Sequence, residues 1–216
     1  MLLRRLTDHV GLAAALIALL VLAGCGATTP ARAPSVDAGR ASVSGIDGSG
    51  VPPKVLTQFE RAAAVMAAGE MDQAEARFTD FVLLYPDYPG AWVNLAIIHA
   101  GKGDDEKARW AIDSALAVDP NYAPALNQMG MLHRRNGNFL EAEAAYLKAV
   151  TVSPEYALAH YNLGVLNELY LQRLDVALQH FEIYQSLVSE DKQVERWIND
   201  LKRRGAVSQQ TANVAE

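Results

Sequence analysis

The sequence predicts an all-α chain: a solenoid of about four helix hairpins closed by one further helix. Three observations lead there. Pro86, Pro120 and Pro154 recur at a step of 34 residues. Gly69, Gly103 and Gly137 keep the same step, as do Ala74, Ala108 and Ala142. Between these landmarks the apolar residues fall near a period of 3.6, the spacing of one helix face. Several tracks sharing one period of this length define a repeat that stacks on its own copies.

Composition narrows the function classes. Half of the 216 residues are apolar and a fifth are charged, which excludes a mostly disordered chain and a multi-span membrane protein. One cysteine excludes an intramolecular disulfide and a Cys-based zinc site. The 19 basic and 25 acidic residues, net −6, argue against a nucleic-acid face, which needs clustered Lys and Arg.

The N-terminus reads as an address. Arg4 and Arg5 precede Val10–Leu22, thirteen residues with no charged or polar side chain. Leu22-Ala23-Gly24-Cys25 follows. A basic start, a short apolar run and small residues before a cut site describe a secretory signal over residues 1–24. The four-residue stretch resembles the lipobox of bacterial lipoproteins. That resemblance implies cleavage before Cys25 and a diacylglycerol on its thiol. Gly26, where Asp marks inner-membrane retention in enterobacterial signals, implies sorting to the outer membrane, facing the periplasm. The alternative is an uncleaved helix, for which thirteen apolar residues fall short of the roughly 20 that span a bilayer.

Residues 25–53 read as the lipidated cysteine and a flexible tether. From Gly26 to Pro53, 13 of 28 residues are Gly, Pro or Ser, and the aliphatics beyond Ala are Val36, Val43, Ile46 and Val51. That is too little apolar surface to offset the entropy of ordering. Pro52-Pro53 ends the tether, and proline suits the first turn of a helix.

Residues 54–188 hold four repeats, at about 55–88, 89–122, 123–156 and 157–188. Each contains two amphipathic stretches of about 14 residues, divided by a glycine turn. Small residues mark where the paired helices cross: Ala62, Ala96, Gly130 and Gly164 in the first, Ala74, Ala108, Ala142 and Ala177 in the second. Bulky Trp92, Leu126, Phe78, Ile112, Tyr146 and Phe181 flank the crossings. The first repeat departs with Gln58 and Arg61 at large apolar positions. The fourth has Leu171-Gln172-Arg173 instead of a turn glycine, with one extra residue before Ala177. Residues 189–205 read as a capping helix, with Ser189 at its start and Val194, Trp197, Ile198 and Leu201 on one face. Residues 206–216 lack such a stripe and are expected to fray as a disordered tail.

These landmarks resemble the tetratricopeptide repeat family, over residues 55 to about 188. The resemblance implies a right-handed α-solenoid that binds a protein or peptide on the concave side lined by the first helices. The second, fifth, sixth, ninth, twelfth and thirteenth residues of each repeat would face that groove. Here they include Phe59, Val93, Asn94, Ile97, Asn127, Gln128, Met131, Arg134, Arg135, Tyr161, Asn162, Val165 and Glu168. Asn94, Gln128 and Asn162 would form an amide ladder facing solvent, able both to donate to and accept from a peptide backbone. Arg134-Arg135, the basic pair of the set, would hold a carboxylate.

No GxxxxGK, GxSxG, HExxH or EF-hand pattern occurs, so no catalytic residue, metal or cofactor is assigned. Asp104-Asp105-Glu106 reads as a helix start, which the dipole favours. His99 and His133, 34 apart, read as packing histidines, as do His160 and His180. The expected function is a membrane-anchored scaffold that binds a protein or peptide and helps assemble or localise an envelope machine, such as a pilus or secretion, cell-wall or energy-transducing complex. Self-assembly into a homo-oligomer is the alternative, and a metal-dependent envelope enzyme a remote one.

Overall fold

The computed structural model describes residues 50–214, with side chains through residue 206. All of these lie in one compact unit, Val36–Glu216. The signal, Cys25, the tether through residue 49 and residues 215–216 lie outside the described residues.

Nine helices follow one another among the described residues: α1 Pro53–Ala67, α2 Met71–Leu84, α3 Pro89–Gly101, α4 Asp105–Val118, α5 Ala123–Arg135, α6 Phe139–Val152, α7 Ala157–Leu169, α8 Leu174–Leu187 and α9 Lys192–Val214. The first eight form four hairpins in the expected order. Pro53 opens α1 at a position where its missing N–H costs nothing. The second helices end two residues before Pro86, Pro120 and Pro154, because the residue before a proline is pushed out of the α region. Tyr85, Asp119 and Ser153 accordingly leave it.

The turns inside the hairpins explain the glycine track. Gly69, Gly103 and Gly137 sit at φ +82, +80 and +78, the left-handed region. That conformation lets Glu70, Asp104 and Asn138 donate N–H to the carbonyls of Val65, His99 and His133 at 2.9–3.2 Å, closing each first helix. In the fourth hairpin Gln172 takes the same role at φ +55. The extra residue widens that turn: Arg173 N–H reaches back to Asn167 at 2.8 Å.

The small residues at the crossings have a measurable reason. A Cβ on Gly130 would lie 2.5 Å from the Tyr146 ring, and one on Gly164 would lie 2.6 Å from the Phe181 ring. The buried alanines Ala74, Ala108, Ala142 and Ala177 complete the close approach.

Each second helix packs on the next first helix, α3 touches α5, and α5 touches α7. No second helix meets the next to a comparable extent. The first helices therefore form the inner row and the second helices the outer one. Cations stitch successive hairpins across a sequence gap of 30. Lys102 bonds Asp72, Arg135 bonds Asp105, and Arg173 bonds Glu143 at 2.7 Å. Lys102 holds the Asp72 and Glu75 carboxyls below their ordinary range through these bonds.

The C-terminal helix differs from expectation at both ends. Its cap is Asp191, not Ser189: Asp191 Oδ1 accepts from the N–H groups of Gln193 and Val194 at 3.0 and 3.1 Å. Residues 206–214, expected to fray, continue the helix, and no proline follows Gly205 to stop it. Val194, Ile198 and Leu201 are buried against Tyr161, Phe181 and Tyr184 as the stripe foretold.

Two substitutions test this packing. Gln172→Gly removes a left-handed side-chain penalty and should stabilise the fold by about 1 kcal/mol; an unchanged or lowered urea midpoint contradicts the turn. Gly130→Leu drives a side chain into the Tyr146 ring and should cost on the order of 1–3 kcal/mol. An unchanged melting temperature would mean that the two helices do not cross there.

Candidate functional site: the inner face of the first helices

The inner row is built by α1, α3, α5 and α7. In α3, α5 and α7 the buried stripe spans the first-helix positions that meet both their own hairpin and the preceding one. In α1 the stripe is rotated to Val55, Phe59, Ala62 and Met66. The first hairpin has no preceding neighbour, so one face suffices, and exposed Arg61 is tolerated. Phe59 is consequently a core residue and not a groove residue. Its ring packs edge-on against Phe78 and Phe81 at 5.7 and 5.6 Å.

The amide ladder is not the solvent-facing row expected from the sequence. Asn94 and Asn162 are buried, with Gln128 half-buried. The bond that forms is one register off: Asn162 Nδ2 donates to Asn127 Oδ1 at 2.9 Å. It ties α7 to α5 as a buried bond. Asn94 lies one hairpin earlier with both its Oδ1 and Nδ2 buried and unbonded.

Other groove residues are spoken for. Arg135 donates to the Ala100 carbonyl at 2.6 Å and pairs with Asp105. Glu168 accepts from Arg204 of α9 at 2.9 Å. Both are therefore anchored within the stack and not free for a ligand. Tyr161 is buried among Phe181, Tyr184 and Trp197, with ring centroids 5.3–6.2 Å away. Its hydroxyl has no partner among the described residues, and burial helped by the Asp191 charge pushes its pKa up to about 12.

What remains reachable on the inner face is a compact set. Met131 is 37% exposed, and Ile97, Gln128, Arg134 and Val165 are half-buried. The Arg134 side chain makes no hydrogen bond or ion pair among the described residues. Leu169, 60% exposed, lies one repeat step beyond Arg135 and was not among the expected groove residues. The 34-residue spacing points to it; its apolar character at a groove position is the signal.

The histidines divide into two kinds. His99 is buried beside Glu75, 3.8 Å from its carboxylate. Burial lowers its pKa while Glu75 raises it, and burial is the larger effect. Among the described residues no three His, Cys, Asp or Glu side chains gather as a metal site. His160 and His180 meet Nδ1 to Nδ1 at 3.1 Å, and His160 Nε2 lies 3.0 Å from the Pro154 carbonyl. A carbonyl only accepts, so His160 carries its proton on Nε2 and accepts from His180 Nδ1–H. Burial lowers the pKa of both, His180 to about 4, with His160 adding like-charge repulsion there.

With the geometry set, comparisons define the class. Tetratricopeptide repeat models match residues 65–132 and 127–191. The chain is thus a tetratricopeptide-repeat protein over residues 65–191. No curated protein matches it. Pseudomonas aeruginosa pilF is similar in structure: TM-score 0.62, 24% identity, 71% of this chain and 70% of that one. A thermophilic TPR protein of Thermus thermophilus gives TM-score 0.57 at 23% identity, covering 65% and 77%. The first TPR of Spaghetti (RPAP3), bound to the HSP90 peptide SRMEEVD, gives 0.51 at 17%, covering 55% and 95%. At these identities the likeness establishes the fold alone.

The histidine pair sets a pH response. Both rings titrate lower when folded than at the ordinary 6.5, so the unfolded chain binds more protons as pH falls. The stability tied to their neutral forms is complete above about 6.5 and is lost as pH falls through their lowered folded values, about 4 for His180. His180→Gln, which does not titrate, should flatten that acid slope in urea unfolding, leaving a residual slope from His160 and His99. An unaltered slope would place the acid sensitivity elsewhere.

Proposed function

We propose that this chain is a non-enzymatic scaffold, held at the bacterial cell envelope by a lipid on Cys25, whose inner face binds an extended segment of a partner protein. Gln128 carries the binding half of this reading: its side-chain amide is half-buried on the inner face, within reach of a ligand. An extended peptide presents alternating N–H and C=O groups, which match an amide's donor and acceptor. Gln128, Met131 and Arg134 give that peptide reachable polar, apolar and cationic contacts. The peptide bound to one structural neighbour supports the ligand class.

The anchoring half rests on Leu22-Ala23-Gly24-Cys25 behind a basic and apolar leader. Two or more acyl chains hold a protein to a membrane far better than one, at about 0.8 kcal/mol per buried CH₂. Gly26 favours the outer membrane, with the repeats in the periplasm. The tether would span roughly 30 Å as a flexible coil. A scaffold so placed would assemble or localise an envelope machine by holding one of its proteins near the membrane.

One experiment in cells addresses both halves. A photo-crosslinking residue at Gln128 or Met131 should trap a distinct partner, and the same residue at Glu141 on the outer row should not. Adducts only from Glu141 would overturn the inner-face reading, and adducts only with a second copy would favour self-assembly. In parallel, Cys25→Ser should release the chain from membranes with its helix signal intact. Full membrane retention without acyl label would replace the lipid anchor by an uncleaved helix.

A further inference from the structure

A second surface stands apart from the inner face. Trp110 projects from the outer helix α4 and is 57% exposed. It lines an open depression of about 490 Å³ between α4 and the end of α5 with its following turn. At the matching place in the other repeats stand Ala76, Ala144 and Gln179. The tryptophan is therefore not part of the repeat pattern. It is also not needed by the core: its ring meets Trp92 edge to face at 5.1 Å, while Trp92 is fixed independently by donating to the Pro86 carbonyl.

The charges around the depression decide what it accepts. Asp105, Glu106 and Asp113 line it together with Arg109. Asp113 pairs with Arg109 at 3.2 Å and Asp105 pairs with Arg135. Glu106 has no ion-pair partner among the described residues. An anion would meet three carboxylates, with one guanidinium and the His133 ring beside them. An apolar side chain would strip water from those carboxylates without replacing it. A cation gains on both counts, from the carboxylates and from the face of the indole.

We propose that this depression docks a lysine or arginine side chain presented by a basic segment of a partner protein. The cation rests against the Trp110 ring, with Glu106 and Asp113 around its donors. Arginine suits it better than lysine, because a planar guanidinium stacks on an aromatic ring while its edge reaches a carboxylate. The surface is on the outer row, so it works whether or not the inner face binds a peptide.

The test titrates the full chain with three labelled peptides in one Gly-Ser background, carrying two arginines, two glutamines or two glutamates. Fluorescence anisotropy reads binding at low and high salt. The arginine peptide should bind about tenfold more tightly than the glutamine peptide, and the advantage should shrink with salt. Trp110→Ala and the double change Glu106→Gln with Asp113→Asn should each remove most of that advantage. All three side chains are exposed, and an unchanged melting temperature verifies that each variant is folded. Equal binding of the three peptides, preference for glutamate, or an arginine advantage that survives Trp110→Ala overturns the proposal. Gln128→Ala, on the inner face, should leave this binding unchanged; a loss there would assign the peptide to the inner face instead.

Discussion

Every hairpin depends on two helices crossing closely at small residues, and in the third and fourth a large ring on one helix lies where the other has no side chain. Tyr146 over Gly130 and Phe181 over Gly164 set that approach, and a single added carbon would meet the ring at 2.5–2.6 Å. Buried alanines on the second helices continue the contact. Once the hairpin is set this tightly, its second helix presents a fixed surface to the next first helix. The stack then grows by nearest-neighbour contact, as expected for a quasi-one-dimensional protein. The apolar core is accordingly divided into separate clusters, one around the first two hairpins and another joining the last hairpin to α9.

The periodic part of this architecture was legible in the sequence because it follows from backbone rules that repeat. Left-handed turns call for Gly69, Gly103 and Gly137, the prolines push the residue after Leu84, Val118 and Val152 out of the α region, and close crossings demand small residues. The candidate site was legible only in part. Asn94 was identified, but its burial depends on how close α3 comes to its neighbours, which residue type does not encode. Arg135 and Glu168 lose their freedom to Asp105 and Arg204, partners 30 and 36 residues away. Neither separation is the repeat length, so alignment of the repeats does not bring these pairs together. Phe59 leaves the groove because an end repeat needs only one buried face. The capping choice of Asp191 over Ser189 turns on where the chain leaves Leu187, a detail of three residues.

The inner and outer rows divide the chemistry. The inner row buries amides and phenols, some bonded across helices and some unmet, in a setting with little water. The outer row carries charged residues and one tryptophan that the fold does not require. A partner recognised by the first would be read through its backbone, and one recognised by the second through its side-chain charge. Two unlike surfaces on one stack would let it hold two segments at once, a gain in effective concentration rather than in contact strength.

The cations that bridge successive hairpins have one further consequence. Lys102, Arg135 and Arg173 join each hairpin to the one before it at the surface, outside the apolar clusters. Exposed pairs of this kind contribute about 0–1 kcal/mol each and weaken as salt rises. The apolar contacts that form each hairpin do not weaken in the same way. Ionic strength therefore acts on the exposed edge of each joint, loosening its ion pairs, while the apolar contacts that cross the same joint hold the hairpins in register.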